Sequence, residues 1–331
     1  MSAPAGTPPT GPARLVTLGE TMAALVPDRI GPLRHARSLA LTTAGSESTV
    51  AVGVRRLGHR AAWVGRVGAD EFGTLVTGRL RAEDVDVHAV IDPGAPTGLL
   101  IKERRTAVLR RVHYYRDASA GSRLRPADLP DGLVETAGIL HVTGITLALS
   151  AGAAATVHAA VDRAAASGTT VCLDVNHRSR LWTTGKAAAA VGALLPRVGI
   201  LFASLEEAAM LLGHGPGDPP PPAAELARAL RDAGPHTVVV TLAADGAVAV
   251  SAEGTTRTAA HPVPEIDPVG AGDSFVAGYL AARLNGRDTT GCLALATRVA
   301  AWSVATDGDW EGLPTLTELA LDEAPPGTVT R

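Results

Sequence analysis

The 331-residue chain has few of the residues that mark several large classes of protein. Its two cysteines, Cys172 and Cys292, form no Cys-x-x-Cys pair, which favours small core residues in a reducing compartment over disulfides. A formal net charge of −3 and 3% aromatic residues provide neither a basic surface nor stacking platforms for nucleic acid. No apolar run approaches the roughly 18 residues of a membrane span. We therefore expect a cytoplasmic protein that binds neither nucleic acid nor membrane.

The two ends of the chain lack features of packed structure. Residues 1–13 are rich in Pro, Gly, Thr and Ala and contain no apolar segment typical of a signal peptide. We expect residues 1–13 and 323–331 to be disordered tails. The whole chain, with 46% hydrophobic and 19% charged residues, can form a large core. The sequence predicts a single domain over residues 14–321.

Motifs of three common enzyme classes are missing. Gly185-Lys186 is followed by Ala187 and lacks the earlier glycine of a Walker A motif, because position 180 is an arginine. No Gly-x-Gly-x-x-Gly follows a predicted strand, and the ten histidines contain no His-x-x-x-His pair. A P-loop NTPase, an ordinary Rossmann dehydrogenase and a zinc enzyme are therefore disfavoured.

Short apolar runs alternate with helical patterns along most of the chain. The predicted strands include residues 15–18, 61–68, 139–142, 170–174, 200–202 and 238–240. This alternation predicts an α/β protein with a mostly parallel central sheet, helices on both faces and the carboxyl ends of its strands on one side. Segments 21–43 and 97–118 lack a helical period and leave from that side, so we combine them into one small β-sheet lid.

Polar residues follow several of these strands. They are Glu20 after the first strand, Asp174, Asn176 and Arg178 after residues 170–174, Ser204 and Glu207 after residues 200–202, and Thr241 after residues 238–240. Ligands of open α/β sheets gather at such strand ends. We therefore expect the site at this edge of the sheet.

Residues 267–275 predict a loop that opens a helix near Ser274. Gly270 and Gly272 precede the helix, and the first amides of a helix attract anions because they lack intrahelical acceptors. Asp273 would repel an anion unless it accepts a proton from a third group, such as a hydroxyl. The alternative is that Asp273 only caps the helix.

Two signatures resemble those of the ribokinase-like sugar kinases, also called the phosphofructokinase-B family, and the resemblance spans residues 14–321. The first signature covers residues 44–53 and 65–73, and the second covers residues 267–278. Further stretches at 19–20, 114–122, 174–178 and 308–314 are similar to the 2-dehydro-3-deoxygluconate kinases of this family.

The resemblance implies transfer of the γ-phosphoryl group from ATP, with Mg²⁺, to a sugar hydroxyl. It makes Asp273 the catalytic base and the amides of Gly270, Ala271 and Gly272 the anion hole. The implied substrate-binding residues are Glu20, Gly45, Thr49, Tyr114, Arg116, Asn176, Arg178 and Asp273. The implied nucleotide-binding residues are Ser204, Thr241, Ala243, Gly246, Gly270, Gly272 and Thr297, and the implied metal-binding residues are Glu207 and Asp174. A monovalent cation such as K⁺ near Asp267 and a homodimer through the lid are also implied.

A few side chains indicate the charge of the expected substrate. Tyr114, Arg116 and Arg178 match family positions that face a carboxylate, which favours the sugar acid 2-dehydro-3-deoxygluconate. Arg116 could instead pair with Asp117 or another acid in the lid. The sequence also departs from the family, since Thr49, Ser204 and Thr297 replace usual asparagines and Ala243 replaces a usual glycine. A kinase of a neutral sugar such as fructose or ribose, and a sugar-binding sensor with little turnover, therefore remain alternatives.

Overall fold

The computed structural model describes residues 11, 14–106, 109–215 and 217–321. The described residues form thirteen β-strands. They are β1 (Leu15–Leu18), β2 (Met22–Pro27), β3 (Leu39–Ala44), β4 (Ala61–Gly68), β5 (Asp86–Asp92), β6 (Leu99–Arg104), β7 (Arg110–Tyr115), β8 (Ile139–Thr143), β9 (Thr170–Asp174), β10 (Ile200–Ser204), β11 (Thr237–Thr241), β12 (Ala247–Ser251) and β13 (Gly254–Thr258).

Nine of these strands form the large sheet, in the order β13, β12, β11, β10, β9, β8, β1, β4 and β5. Neighbours from β11 to β5 are parallel, whereas β12 and β13 pair antiparallel at one edge. The central parallel strands β1, β8, β9 and β10 are almost entirely buried, so their sequences are mainly apolar, whereas β5 at the edge is half-exposed and mixed in composition.

The described residues also form ten α-helices. They are α1 (Ser46–Arg56), α2 (Glu71–Ala82), α3 (Gly144–Leu149), α4 (Ala151–Ser167), α5 (Thr184–Gly192), α6 (Leu205–Leu211), α7 (Ala223–Asp232), α8 (Ala271–Leu284), α9 (Thr289–Val304) and α10 (Leu316–Leu321). None of them is long and apolar enough to cross a bilayer.

The helices cover both faces of the large sheet. Side chains alternate along each strand, so Val16 and Leu18 pack into one core with α4 and α7, whereas Leu15 packs into a second core with α1, α8 and α9. Cys172 and Cys292 are buried, unbridged residues of the second core. The predicted α/β class with helices on both faces is confirmed.

A smaller sheet lies over the carboxyl ends of the parallel strands. Its order is β3, β2, β6 and β7, with β2 parallel to β6 and the other pairs antiparallel. Strands from both predicted lid segments, 21–43 and 97–118, thus share one sheet. Residues 107 and 108, within the second segment, lie outside the described residues, as do the predicted tails apart from Gly11.

Two sequence predictions were incomplete. The helix expected to start near Ser274 begins at Ala271, so Gly272 and Asp273 belong to its first turn and do not precede it. Strands β5, β12 and β13 were not predicted. β13 is short, polar and mostly exposed, so it has no hydrophobic pattern.

Candidate active site

The N-terminus of α8 lies at the centre of the site. Gly270 caps this helix with a φ of 83°, in the left-handed region that favours glycine. A Cβ atom on Gly270 would also lie 2.7 Å from the main-chain oxygen of Asp309. The fold itself therefore requires glycine at position 270.

Gly272 has no such structural reason, because a Cβ atom there would meet no heavy atom within 4 Å. The amide of Ala271 donates to the carbonyl oxygen of Pro268 at 3.3 Å. Within the described residues, the amides of Gly272 and Asp273 have no hydrogen-bond acceptor. Open space in front of free amides at the positive end of a helix suits an anion. The amide of Asp273 is therefore added to the amides predicted to bind the anion. The amide of Ala271 already donates to the carbonyl oxygen of Pro268.

Asp273 is a partly buried carboxylate held by two neighbours. The Ser46 hydroxyl donates to Asp273 Oδ1 at 2.5 Å, and Asn176 Nδ2 lies 3.2 Å from the same oxygen. Burial raises the pKa of Asp273 above its usual value, although the hydrogen bond from Ser46 and the charge of Arg178 oppose the rise. The alternative that Asp273 only caps α8 is wrong, because Gly270 occupies the cap position and no side chain caps this helix. The carboxylate is therefore available as a base.

Asn176 links this carboxylate to the end of β9. Its Nδ2 lies 2.8 Å from Ser46 Oγ and 3.2 Å from Asp174 Oδ2. Its φ of 39° is uncommon for a residue other than glycine. Strained backbone of this kind costs on the order of 1–3 kcal/mol and is concentrated at functional sites. In this conformation the Asn176 amide contacts the Asp273 carboxylate.

Two cavities meet at Asp273. One lies beneath the lid, and the other lies at the ends of β9, β10 and β11. Tyr114, Arg178, Gly270 and Asp273 line both. Molecules bound in the two cavities would therefore contact each other in front of α8.

Glu20 and Arg116, predicted as separate substrate contacts, bind each other in the cavity beneath the lid. Arg116 Nε and Nη2 lie 2.7 Å and 2.6 Å from Glu20 Oε2, and the Ser119 hydroxyl donates to Glu20 Oε1. Arg116 thus pairs with an acid, but the acid is Glu20 and not Asp117. Its guanidinium also lies 5.6 Å from the ring centre of Tyr114. Two of the five N–H groups of Arg116 are thus engaged by Glu20.

Arg178 differs from Arg116 in having an uncommitted side chain. It is exposed and lines both cavities. No hydrogen bond or ion pair holds its guanidinium in the part of the chain that the structure describes. A free guanidinium can bind a carboxylate or a phosphate through two parallel hydrogen bonds. Arg178 is therefore well placed to bind an anionic ligand.

The second cavity is lined by residues from three strand ends, namely Asp174, Ser204, Glu207 and Thr241. Glu207 Oε1 accepts a hydrogen bond from the amide of His177 at 2.6 Å, and Oε2 accepts one from the amide of Ser204 at 2.8 Å. The second bond belongs to a capping box at the start of α6. Glu207 is thus fixed in place at the cavity wall.

The charges in this cavity are compatible with a hydrated Mg²⁺ ion. Burial raises the pKa of Asp174 well above its usual value, and the charges of Glu207 and Asp273 raise it further. The described residues contain no cluster of three or more His, Cys, Asp and Glu side chains able to hold a metal directly. Mg²⁺ keeps several waters and commonly binds one or two carboxylates together with phosphates. Asp174 and Glu207 fit that mode.

Five predicted site residues line neither cavity, namely Thr49, Ala243, Gly246, Ala271 and Thr297. Thr49 is fully buried in α1, and Thr297 Oγ1 lies 3.2 Å from carbonyl oxygens of its own helix α9. Ala243 and Gly246 form the turn between β11 and β12, with φ values of 50° and 91°. The positive φ explains why glycine would suit position 243 better than alanine. Gly45, in contrast, lines the cavity beneath the lid.

Four polar residues line that cavity but were not predicted as site residues, namely Ser46, Glu47, Lys102 and Asp309. Ser46 and Glu47 lie within the first signature, and Asp309 lies within the stretch 308–314. The sequence could therefore have identified these three as site residues. No sequence pattern identifies Lys102 as a site residue, because a lysine in a lid strand is typical of a solvated face.

Comparison with known proteins places the chain among sugar kinases. A family profile described as "pfkB family carbohydrate kinase" matches residues 12–316. The chain is 37% identical over 305 residues to a 2-dehydro-3-deoxygluconokinase of Thermoproteus tenax, a match that covers 91% of each protein. It is 35% identical over 298 residues to a 2-dehydro-3-deoxygalactonokinase of Haloferax volcanii, covering 90% of this chain and 92% of the relative. A solved structure of an uncharacterized sugar kinase from Pyrococcus horikoshii in complex with ATP has a TM-score of 0.79 at 26% identity, covering 94% of this chain and 98% of that one.

Proposed function

Because the chain belongs to the pfkB family of carbohydrate kinases, we propose that it transfers the γ-phosphoryl group of ATP to a hydroxyl of 2-dehydro-3-deoxygluconate or a close sugar acid. The family expected from the two signatures is confirmed, and the sugar and the nucleotide are the proposal. Two similar proteins are named for sugar acids of this kind, and a similar structure holds ATP. One observation carries the proposal: a cavity beneath the lid and a cavity at the strand ends meet at Asp273.

Asp273 is the proposed general base. The sugar occupies the cavity beneath the lid, with the reacting hydroxyl next to the Asp273 carboxylate. Ser46 and Asn176 hold Oδ1, and no donor among the described residues reaches Oδ2, so Oδ2 is available for the proton. In phosphoryl transfer the proton leaves late, because the transition state is loose and positioning contributes most of the catalysis. A carboxylate with a moderately raised pKa suffices.

The amides at the start of α8 are the proposed site for the transferred phosphoryl group. The amides of Gly272 and Asp273 have no acceptor in the described parts of the chain, and the space at Gly272 is open. Preorganised donors aimed at developing charge stabilise a transition state without reorganisation. Arg178 lines the same region and adds a positive charge. These groups would bind the oxygens of the phosphoryl group while Asp273 binds the hydroxyl.

Asp174 and Glu207 are the proposed water-mediated partners of Mg²⁺ in the second cavity. Mg²⁺ would neutralise the negative charge of the ATP phosphates. Ser204 and Thr241 lie at the same strand ends and are the proposed nucleotide contacts. Thr49, Ala243, Gly246 and Thr297 line neither cavity, so their direct roles stay predictions.

Arg178 is the main reason to favour an acid over a neutral sugar. Its guanidinium is free among the described residues, whereas Arg116 is committed to Glu20. Arg178 also lies at the junction with the phosphate cavity and could serve the phosphates instead. The neutral-sugar kinase therefore remains the second candidate.

A coupled assay of ADP release tests the proposal. The panel contains several 2-dehydro-3-deoxy sugar acids together with fructose and ribose, and we expect the acids to give the highest kcat/KM. Asp273→Asn should lose about two to four powers of ten in kcat while still binding ATP and sugar in calorimetry. Asp232→Asn, on the exposed end of α7, is the matched control and should keep wild-type turnover. Binding of ATP and a sugar acid by the wild type without ADP release would instead support the sensor.

We further propose that segments 21–43 and 97–118 act as one mobile lid and contribute to a homodimer. Leu39, Leu41 and Tyr115 on the lid strands are 37%, 43% and 62% exposed, and covering such side chains favours a second subunit. A monomer in sedimentation at micromolar concentration would contradict the dimer. The single domain over residues 14–321, the cytoplasmic location and the K⁺ ion near Asp267 remain predictions.

A further inference from the structure

The lid contributes a buried cation that none of the roles above uses. Lys102, on β6, has a side chain that is only 10% exposed. Its Nζ lies 2.7 Å from Asp309 Oδ1 and 3.6 Å from Asp267 Oδ2. Asp267 precedes α8 and Asp309 follows α9. One lid ammonium therefore connects two segments on either side of the α8 N-terminus.

Both acids shape the loop that opens α8. The Asp267 carboxylate accepts a hydrogen bond from the amide of Val269 at 3.2 Å. The main-chain oxygen of Asp309 packs so closely on Gly270 that a Cβ atom there would lie 2.7 Å away. The positions of Asp267 and Asp309 therefore determine where the backbone places the amides of Gly272 and Asp273.

These two carboxylates would repel each other without a cation between them. Burial raises the pKa of Asp309, Lys102 opposes the rise, and Glu311 and Asp267 add to it. Burial alone would lower the pKa of Lys102, but Asp309, Asp267 and Glu311 outweigh burial and raise it. The ammonium therefore stays charged. Its removal would leave the buried Asp309 carboxylate without its cation, which is strongly unfavourable.

We propose that Lys102 is a positioning residue whose ammonium serves as a built-in monovalent cation, holding Asp267 and Asp309 together so that the α8 amides face the transferred phosphoryl group. The inference rests on the proposed kinase function, since it assigns Lys102 a part in that reaction. K⁺ beside Asp267 is then unnecessary.

Because Lys102 belongs to the lid, its contact with Asp267 and Asp309 depends on the position of the lid. Lys102 also lines the sugar cavity, so its charge reaches the two acids only when the lid covers that cavity. The anion site is complete only in the closed state, which would limit transfer of the phosphoryl group to water when no sugar is bound.

Two other lid cations contact the same segments closer to the surface. Arg104 lies 3.4 Å from Asp307, whose side chain is 60% exposed. Arg110 Nε lies 3.8 Å from Asp267 Oδ1. The Arg104–Asp307 pair is exposed, and such pairs are screened by solvent and contribute little. The Arg110–Asp267 pair is mostly buried, with side chains 20% and 8% exposed, so Arg110 is unsuitable as a control. Arg104, two residues from Lys102 on the same strand, is therefore the matched control.

The test compares the wild type, Lys102→Met and Arg104→Met with the best sugar of the panel. Assays contain tetramethylammonium, K⁺ or methylammonium as the monovalent cation, at equal ionic strength. We expect the wild type to be equally active in all three and Arg104→Met to stay close to it. Lys102→Met should lose about tenfold to hundredfold in kcat, as expected for misplaced catalytic groups, and should recover severalfold with K⁺ or methylammonium only.

Hydrogen exchange of the peptide covering residues 267–275 provides a readout that does not depend on turnover. Exchange should be faster in Lys102→Met than in the wild type, and K⁺ should slow it again. This measurement decides the role of Lys102 even if the wild type phosphorylates none of the panel sugars, an outcome that would overturn only the proposed substrate.

Three results would overturn the proposal. The first is a wild type that needs K⁺ for activity, which would mean that Lys102 does not fill the cation position. This measurement requires no variant, so it holds even if Lys102→Met fails to fold. The second is an unchanged kcat and exchange rate in Lys102→Met. The third is a loss that no small cation restores, which would assign Lys102 to fold stability alone.

Discussion

Ser46 donates a 2.5 Å hydrogen bond to the carboxylate of Asp273, although 227 residues separate the two in sequence. Ser46 is the first residue of α1, and Asp273 lies in the first turn of α8. The two signatures therefore meet at one oxygen atom. A hydroxyl in the first signature sets the proton affinity of the proposed base in the second.

Ser46→Ala should raise the pKa of Asp273, because the variant removes a donor that stabilises the carboxylate. A general base acts only when ionised, so kcat/KM falls as the pH drops through the pKa of Asp273. The acidic limb of the pH profile should therefore move to higher pH, with activity retained at alkaline pH. In the control Ser48→Ala, whose hydroxyl donates to the carbonyl of Gly45, the limb should stay in place. An unmoved limb in Ser46→Ala would show that Asp273 is not the group that titrates.

The two glycines at the start of α8 should respond differently to alanine. Gly272→Ala adds a Cβ atom to open space, so the melting temperature should not fall, but kcat/KM should fall on the order of a hundredfold because the anion loses access to the amides. Gly270→Ala should lose stability as well, since a left-handed alanine costs about 1–2 kcal/mol and the new Cβ meets Asp309. Thermal melts and kinetics on both variants separate the two effects. Full activity in Gly272→Ala would place the anion elsewhere.

Local patterns explain how much of the fold could be predicted from the sequence. Residues 238–240 are three consecutive valines, and such runs identify buried parallel strands. β13 is polar and lies at the sheet edge, so no pattern reveals it. The start of α8 was placed too late because its first residues are small or charged. The apolar period begins only at Phe275, one turn after the backbone becomes helical.

The contacts within the site were harder to predict than its residues. Glu20 and Arg116 were both identified, but their ion pair joins positions 96 residues apart and depends on how the lid folds over β1. Lys102 was not identified, since its burial results from the docking of β6 on segments more than 160 residues away. Such pairings come from the tertiary arrangement, which the periodicity of a single strand does not encode.

Glu207→Gln should raise the Mg²⁺ concentration needed for half-maximal activity. The amide oxygen can still accept one of the two hydrogen bonds from main-chain amides, but the charge that favours the hydrated ion is lost. The neighbouring Glu206→Gln is the control, because the Glu206 side chain is exposed and, among the described residues, accepts a hydrogen bond only from the Ser204 hydroxyl, at 3.0 Å. Activity is titrated with Mg²⁺ and the melting temperature is measured in parallel. Identical Mg²⁺ titrations for Glu207→Gln and the wild type would exclude Glu207 from the metal site.

Loss of Arg178 should weaken substrate binding without changing stability, whereas loss of Arg116 should lower both stability and activity. Arg178→Ala removes a guanidinium that has no partner among the described residues, so the melting temperature should not change. A charge-assisted hydrogen bond contributes about 1.5–3 kcal/mol, so the KM for the sugar acid should rise about tenfold to hundredfold. Arg116→Ala leaves the buried Glu20 without its cation, and breaking a buried pair costs about 3–5 kcal/mol. This variant should therefore unfold at a lower temperature and lose activity toward every sugar.

The substrate charge can then be decided by comparing sugars within the Arg178 variants. If Arg178 binds the carboxylate, Arg178→Ala raises the KM for the acid and leaves the KM for fructose or ribose unchanged. Arg178→Lys should recover only part of the loss, because an ammonium keeps the charge but lacks the two parallel donors of a guanidinium. If Arg178 serves the phosphates instead, the variant should raise the KM for ATP and affect acid and neutral sugars equally. That second pattern, together with a higher kcat/KM for a neutral sugar in the wild type, would replace the sugar acid with a neutral sugar as the substrate.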